Sequence, residues 1–173
     1  GRHILTGALE GTAQLWDATT AAPISLAFEN NERLEGVAVV EGTGSFLTWS
    51  ANNTVRLRNL TTGAQIGQPL VHDEPISGAV VSKDNRRILT WDQSGTAQLW
   101  DVAAGALVDP TAERHQSVIG AAFSKDARLV LTWSKDGTAQ LWDANSAVPI
   151  GPTFTHDEAV SGATFSKNDH RIL

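Results

Sequence analysis

Hydrophobic and polar positions alternate along the chain in short runs, and turn residues separate these runs. From Ser117 onward the runs read SVIGAAFS, RLVLTWS, TAQLWD and PIGPTFT, with the turns KDA and KDG between the first three. Runs of this length with alternating polarity predict β-strands. The pattern therefore predicts four strands in about 42 residues.

The strand pattern repeats along the whole sequence. GTAQLWD occurs at residues 11–17, 95–101 and 137–143, and NTVRLRN at residues 53–59 fills the remaining slot with Arg58 in place of tryptophan. Leucines recur every 42 residues, at Leu5, Leu47, Leu89, Leu131 and Leu173. A fixed period of this length indicates a repeat architecture, here of four units.

Both faces of each predicted sheet carry apolar side chains. In TAQLWD the side chains of Thr138, Gln140 and Trp142 point to one face, whereas Ala139 and Leu141 point to the other. A small sheet of this kind buries both faces only between neighbouring sheets, so the repeats predict a stack.

These motifs resemble the WD-repeat β-propeller family, in its bacterial type with highly similar repeats. The resemblance rests on the period, on the turn aspartate before the third strand and on the Trp-Asp that ends it, and it covers the whole chain. It implies an all-β propeller of four-stranded antiparallel blades. Residues 1–173 would form one unit, with full blades at about 33–71, 75–109 and 117–155 and a blade from 2–28 completed by a strand near 159–166.

The resemblance also implies a structural polar network in each blade, made of a histidine, a threonine, an aspartate and a tryptophan. The matching residues are His72, Thr90 and Trp100 in the third unit, Thr132, Asp136 and Trp142 in the fourth, and His156 with Thr6, Glu10 and Trp16 for the first. Ser94 stands in the aspartate position of the third unit, and Arg114 in the histidine position of the fourth. The second unit has Asn30, Thr48, Asn52 and Arg58, so we expect this blade to be the least stable locally.

The two ends of the chain are complementary. The chain begins in a second strand, RHILTGA, and its last complete strand, AVSGATFS, is a first strand. Closing four blades into a ring needs about 90° between neighbours, whereas eight blades need about 45°, which is closer to WD-type geometry. We therefore expect two chains to exchange these strands and form one eight-bladed ring, a homodimer with no open edge. HRIL at the C-terminus then has no obvious strand to pair with in this ring and is expected to be displaced or disordered; the alternative is that the chain was cut from a longer array.

A second set of tryptophans ends the second strands. Trp49, Trp91 and Trp133 lie in register, and Gly7 takes this position in the first unit. We expect these side chains to pack between neighbouring blades, although an indole at the rim could also anchor a ligand.

Composition narrows the function classes. The formal net charge of −6 and a pI near 5.2 argue against nucleic acid or an anionic membrane surface as partner. The absence of cysteine fits a reducing cytoplasm. No histidine has a second ligand at metal-binding spacing, and neither a nucleophile–histidine–acid set nor a phosphate-binding glycine loop is present. We expect no enzyme activity, no cofactor and no metal.

One rim of the predicted propeller collects polar loops. The candidate partner-binding residues on it are Asp73, Glu74, Gln93, Lys135, Asp157 and Glu158. The acidic pairs favour a basic or polar protein partner, and the alternative is that these are ordinary solvated loops.

The sequence therefore predicts a non-enzymatic protein-interaction scaffold that self-assembles through its ends. The alternative is an excised or engineered propeller fragment, made as an assembly model with no ligand of its own, because the chain begins with glycine and contains no methionine. A small-molecule or glycan site in the central channel is disfavoured, since the inner strands carry few polar groups.

Overall fold

The computed structural model describes residues 3–24, 28–29, 32–40, 44–108 and 117–173. Within these segments the chain forms four antiparallel sheets and no helix that could span a membrane. The first sheet contains β1 (His3–Gly7), β2 (Thr12–Asp17) and β3 (Phe28–Glu29), and the second contains β4 (Leu34–Val40), β5 (Ser45–Ser50), β6 (Thr54–Asn59) and β7 (Gln65–Val71). The third contains β8 (Ile76–Val81), β9 (Arg87–Asp92), β10 (Ala97–Asp101) and β11 (Ala106–Leu107), and the fourth contains β12 (Val118–Phe123), β13 (Leu129–Ser134), β14 (Thr138–Asp143) and β15 (Pro149–Thr155).

The sheets share one strand order and one register. In each sheet every strand pairs with the next strand along the chain. Equivalent leucines pair across two neighbouring strands in the second, third and fourth sheets: Leu47 with Leu57, Leu89 with Leu99, and Leu131 with Leu141. The sequence period is therefore also the structural period.

Apolar side chains lie between consecutive sheets. One buried cluster joins the second and third sheets and includes Leu57, Leu70, Ile88 and Trp100. A second cluster joins the third and fourth sheets, and a third joins the first and second. Because each sheet buries apolar area against its neighbours in chain order, the fold is all-β and propeller-like.

The first strands β4, β8 and β12 form the inner wall of this arrangement, since each of them lies beside the next. The turn that follows each first strand and the turn that follows each second strand lie at opposite ends of the sheet, because consecutive strands are antiparallel. The molecule thus has two distinct rims.

The C-terminal segment folds back on itself in the single chain. Phe165 and Ile172 form an antiparallel bridge, and the backbones of Thr164 and Leu173 exchange hydrogen bonds of 3.0 and 2.9 Å. The register is the one that pairs Phe123 with Val130, and the displacement of HRIL in a two-chain ring stays a prediction. In the single chain β1 remains an edge strand that pairs only with β2.

Candidate interaction surfaces

A buried polar cluster connects the loop before β8 to β9 and β10. The His72 ring nitrogen Nε2 is hydrogen-bonded to the Thr90 hydroxyl, and Trp100 Nε1 donates to the same oxygen at 2.8 Å. The rings of His72 and Trp100 are 5.7 Å apart between centroids. All three residues are buried. These hydrogen bonds pair His72 Nε2, the Thr90 hydroxyl and Trp100 Nε1 inside the protein and link the loop at one rim to β9 and β10.

Asp92 belongs to this cluster and was missed by the sequence analysis. Its Oδ1 accepts hydrogen bonds from Ser94 Oγ at 2.6 Å and from the Thr96 amide at 2.9 Å. Its Oδ2 lies 3.6 Å from His72 Nδ1. The carboxylate that the family pattern places at position 94 is thus supplied by Asp92, at the end of β9. The sequence held one indication of this, because the second and fourth units have serine at the position of Asp92.

The fourth sheet keeps part of the pattern. Trp142 Nε1 donates to Thr132 Oγ1 at 3.0 Å. Asp136 accepts from the amide and the hydroxyl of Thr138, at 2.9 and 2.6 Å, and so caps its own turn. Arg114, in the histidine position, lies outside the described residues.

The residues that match the network of the first unit lie at opposite ends of the chain and are not in contact: Thr6 and Trp16 belong to the first sheet, whereas His156 follows β15 of the fourth. Trp16 Nε1 donates to Thr6 Oγ1 at 2.8 Å, and this pair is exposed. His156 is also exposed, and its amide donates to Gly137 O at 2.8 Å. Glu10 is exposed too.

Each second-strand tryptophan covers a glycine of the inner strand beside it. A Cβ on Gly36, Gly78 or Gly120 would lie 2.1, 2.3 or 2.3 Å from Cζ2 of Trp49, Trp91 or Trp133. Trp49 and Trp91 also pack against the clusters between sheets. The inner strand therefore needs glycine where the indole crosses it.

The six candidate partner-binding residues are exposed on one rim, which we call the acidic rim: Asp73, Glu74, Gln93, Lys135, Asp157 and Glu158. Backbone bonds tie its loops together, since the Gln93 amide donates to Pro75 O at 2.8 Å and the Lys135 amide to Ser117 O at 2.9 Å. A cavity of about 410 Å³ between the third and fourth sheets opens beside Gln93 and Lys135. With four carboxylates and one ammonium, these six side chains give the rim a net negative charge.

Comparison with known proteins identifies the repeat. The model of the family "WD domain, G-beta repeat" matches residues 110–143. Residues 110–143 therefore contain a WD repeat. Comparison with curated proteins gives no match.

Solved structures contain a similar fold. The WD-repeat chain is similar to the crystal structure of the computationally designed Ika8 protein, with a TM-score of 0.76 and 20% sequence identity. The alignment covers 97% of this chain and 51% of that one, so the chain spans about half the length of its structural neighbour. At this identity the likeness concerns the fold alone.

Among the described residues of this WD-repeat protein, no group of three or more histidine, aspartate or glutamate side chains could hold a metal ion. Structural metal sites need about four convergent ligands.

The second sheet departs from the WD pattern at Arg58. Thr48 is buried, and among the described residues its Oγ1 has no hydrogen-bond partner, because Arg58 takes the place of the tryptophan in β6. Arg58 Nη1 donates instead to Gly63 O at 3.1 Å. Burial, and next the nearby Arg56, lower the pKa of the Arg58 guanidinium. Phe46 and Leu47 of the same sheet are fully buried. The expected local instability of this sheet stays a prediction, and its structural basis would be the Thr48 hydroxyl.

Arg58→Trp is expected to stabilise the protein by about 1 kcal/mol, because the indole would donate to Thr48 and end the desolvation of the guanidinium. Urea unfolding followed by circular dichroism measures the change. In a Thr48→Val background the same substitution should gain less, and an equal gain in both backgrounds would show that the hydrogen bond contributes nothing.

Proposed function

We propose that this WD-repeat chain is a non-enzymatic protein-interaction scaffold whose two ends assemble with a second copy into an eight-bladed ring. The observation that carries this proposal is the pair of exposed half-networks: His156 at one end, and Thr6 with Trp16 at the other. They stand at the repeat positions of His72, Thr90 and Trp100, which are in contact in the third sheet. A second copy would bring the two halves together.

Exposed apolar side chains at both ends support the same assembly. Phe154 on β15 is 40% exposed, whereas Leu70 at the same repeat position is 1% exposed. Ile4 on β1 is 51% exposed, whereas Ile88 at the same repeat position is 1% exposed. A groove of about 940 Å³ separates the fourth sheet from the C-terminal segment. Burying such surface supplies about 25 cal/mol per Å².

Strand exchange would use the free edge of β1. In the ring, the segment 159–166 of one chain would pair with β1 of the other. The bridge between Phe165 and Ile172 would then break, and the tail would be displaced from this segment. The exchange is isologous, so in the dimer the β1 edge of each chain is paired with the segment 159–166 of the other chain.

The mass in solution tests the ring. We expect sedimentation equilibrium to give twice the chain mass of 18.4 kDa. His156→Ala should weaken the association about fivefold, because it leaves Thr6 and Trp16 without their buried partner. His170→Ala, in the exposed tail turn, is the matched control and should have no effect. A single-chain mass at every concentration would contradict the ring.

The partner-binding site of this scaffold is, in our proposal, the acidic rim, and its ligand a basic protein segment. The scaffold needs no cofactor, nucleic acid or membrane, and a cytoplasmic location remains the expectation. Reversing the charges of Asp73 and Asp157 to lysine should abolish the binding of such a segment, and the effect should shrink at high salt.

The alternative is an engineered or excised fragment with no ligand. The likeness to a computationally designed protein is compatible with it.

A further inference from the structure

An apolar groove runs along the inner wall of the molecule. It has a volume of about 580 Å³ and lies along β4, β8 and β12. Val39, Val81 and Phe123 line it at one repeat position, and Val39 is 40% exposed. The other apolar residues that line it are Ala38, Leu47, Ala79, Val80, Ala121 and Ala122, of which Leu47, Ala79 and Ala121 are buried. The groove thus offers apolar surface that the described chain leaves uncovered.

Lysines stand at one mouth of this groove. Lys83 and Lys125 line it, two residues after Val81 and Phe123. Lys167 occupies the same repeat position in the C-terminal segment, so three of the four lysines in the sequence share this position. We call Lys83, Lys125 and Lys167 the lysine collar. The second unit has Glu41 here, outside the described residues.

The collar lies at the end of the sheets opposite the acidic rim. Lys83 and Lys125 follow β8 and β12, whereas Gln93 and Lys135 of the acidic rim follow β9 and β13. Turns after consecutive antiparallel strands lie at opposite ends of a sheet. The two rims of the chain therefore differ in the sign of their charge.

Two carboxylates beside the collar, Asp84 and Asp126, are bound to their own turns. A third, Asp169, accepts a hydrogen bond from the Lys125 amide at 2.8 Å, and the Lys125 ammonium donates to Lys167 O. Asp84 accepts hydrogen bonds from Ser82 Oγ at 2.7 Å and from the Arg86 amide at 3.0 Å. Asp126 is held in the same way by Ser124 at 2.7 Å, and the bonds from the Ser124 hydroxyl and then the Arg128 amide keep the pKa of Asp126 below its ordinary value. Within the described part of the chain, neither Lys83 nor Lys125 forms an ion pair.

We propose that the lysine collar and the apolar groove together bind an extended acidic peptide segment, in which an apolar side chain enters the groove and the following carboxylates contact the lysines. Charge complementarity selects the carboxylates, and the groove selects the apolar residue. A small hydrated anion gains little here, because exposed lysines contribute less than about 1 kcal/mol each. The hydroxyl of Ser124, which also lines the groove, is already bonded to Asp126. The site lies within one chain and does not depend on ring formation.

Fluorescence anisotropy with a labelled peptide tests this site on the intact chain. The probe is an eight-residue peptide with one leucine followed by four glutamates, and the matched probe has glutamine in place of glutamate. We expect only the acidic probe to bind. Lys83→Ala with Lys125→Ala should weaken binding about tenfold, whereas Arg33→Ala, at an exposed cation directly before β4, should leave it unchanged. Val39→Asp should also weaken it, by placing a carboxylate on the groove wall.

Three results would overturn the proposal. They are equal binding of the glutamine probe, equal weakening by Arg33→Ala, or displacement of the peptide by inorganic phosphate or a single-stranded oligonucleotide at the same concentration as by unlabelled peptide. Circular dichroism of each variant establishes that it is folded. Because the mass of the chain is measured separately, failure of this site and failure of the ring are distinguishable.

Discussion

Replacing Leu57 by alanine should lower the free energy of unfolding by about 3 kcal/mol. Leu57 lies on β6, is 1% exposed and shares the cluster between the second and third sheets with Ile88 and Trp100. Truncation removes buried methyl groups and leaves a cavity that two stacked sheets can close only in part. The loss therefore measures how tightly the sheets are stacked.

Val71→Ala is the matched control for this change. Val71 ends the neighbouring strand β7 and is 62% exposed, so its truncation should cost less than about 0.5 kcal/mol. Urea unfolding of the three proteins, with a common slope, gives both differences. Similar losses for Leu57→Ala and Val71→Ala would contradict a core between the sheets.

Gly95→Ala is expected to cost about 3 kcal/mol through the backbone. Gly95 has a φ of +81°, and an added Cβ would lie 2.3 Å from the Ser117 amide nitrogen. The Val118 amide also donates to Gly95 O at 3.0 Å, so the turn after β9 holds the entry to β12. Alanine combines the strain of a left-handed φ with a contact to backbone that cannot rotate away.

Gly151→Ala separates these two costs. Gly151 has a φ of +69° and no atom within 4 Å of an added Cβ, so it carries the conformational strain alone, about 1 kcal/mol. Thermal unfolding of both variants measures the difference. If Gly95→Ala were no worse than Gly151→Ala, the contact between the third and fourth sheets at this turn would not be rigid.

The repeat made the strands predictable because strand signals are local. Alternation and turn residues lie within a few positions of one another, so one clear copy, from Ser117, was enough to place the others. The pairing of Leu89 with Leu99 follows from the same spacing once the turn between them is known. Sheet order and register needed no long-range information.

The polar cluster around His72 and the pairing of the C-terminal segment could not be predicted, because they depend on contacts in space that residue spacing does not determine. Asp92 and Ser94 are two residues apart in the chain, and only the path of the turn decides which of them faces His72. The partner of Ile172 likewise depended on which strand edge lies nearest in space, and that is Phe165 of the same segment. Family patterns fix residue types better than they fix which neighbour a side chain meets.

The nearest-neighbour stacking of the sheets has a consequence for how such a chain changes in evolution. Each buried cluster joins only consecutive sheets, so inserting or deleting one whole unit disturbs two seams and leaves every other contact as it was. The three GTAQLWD stretches are identical, so these three units share the same third strand. Unit number can therefore change in whole steps while each remaining sheet keeps its other buried contacts.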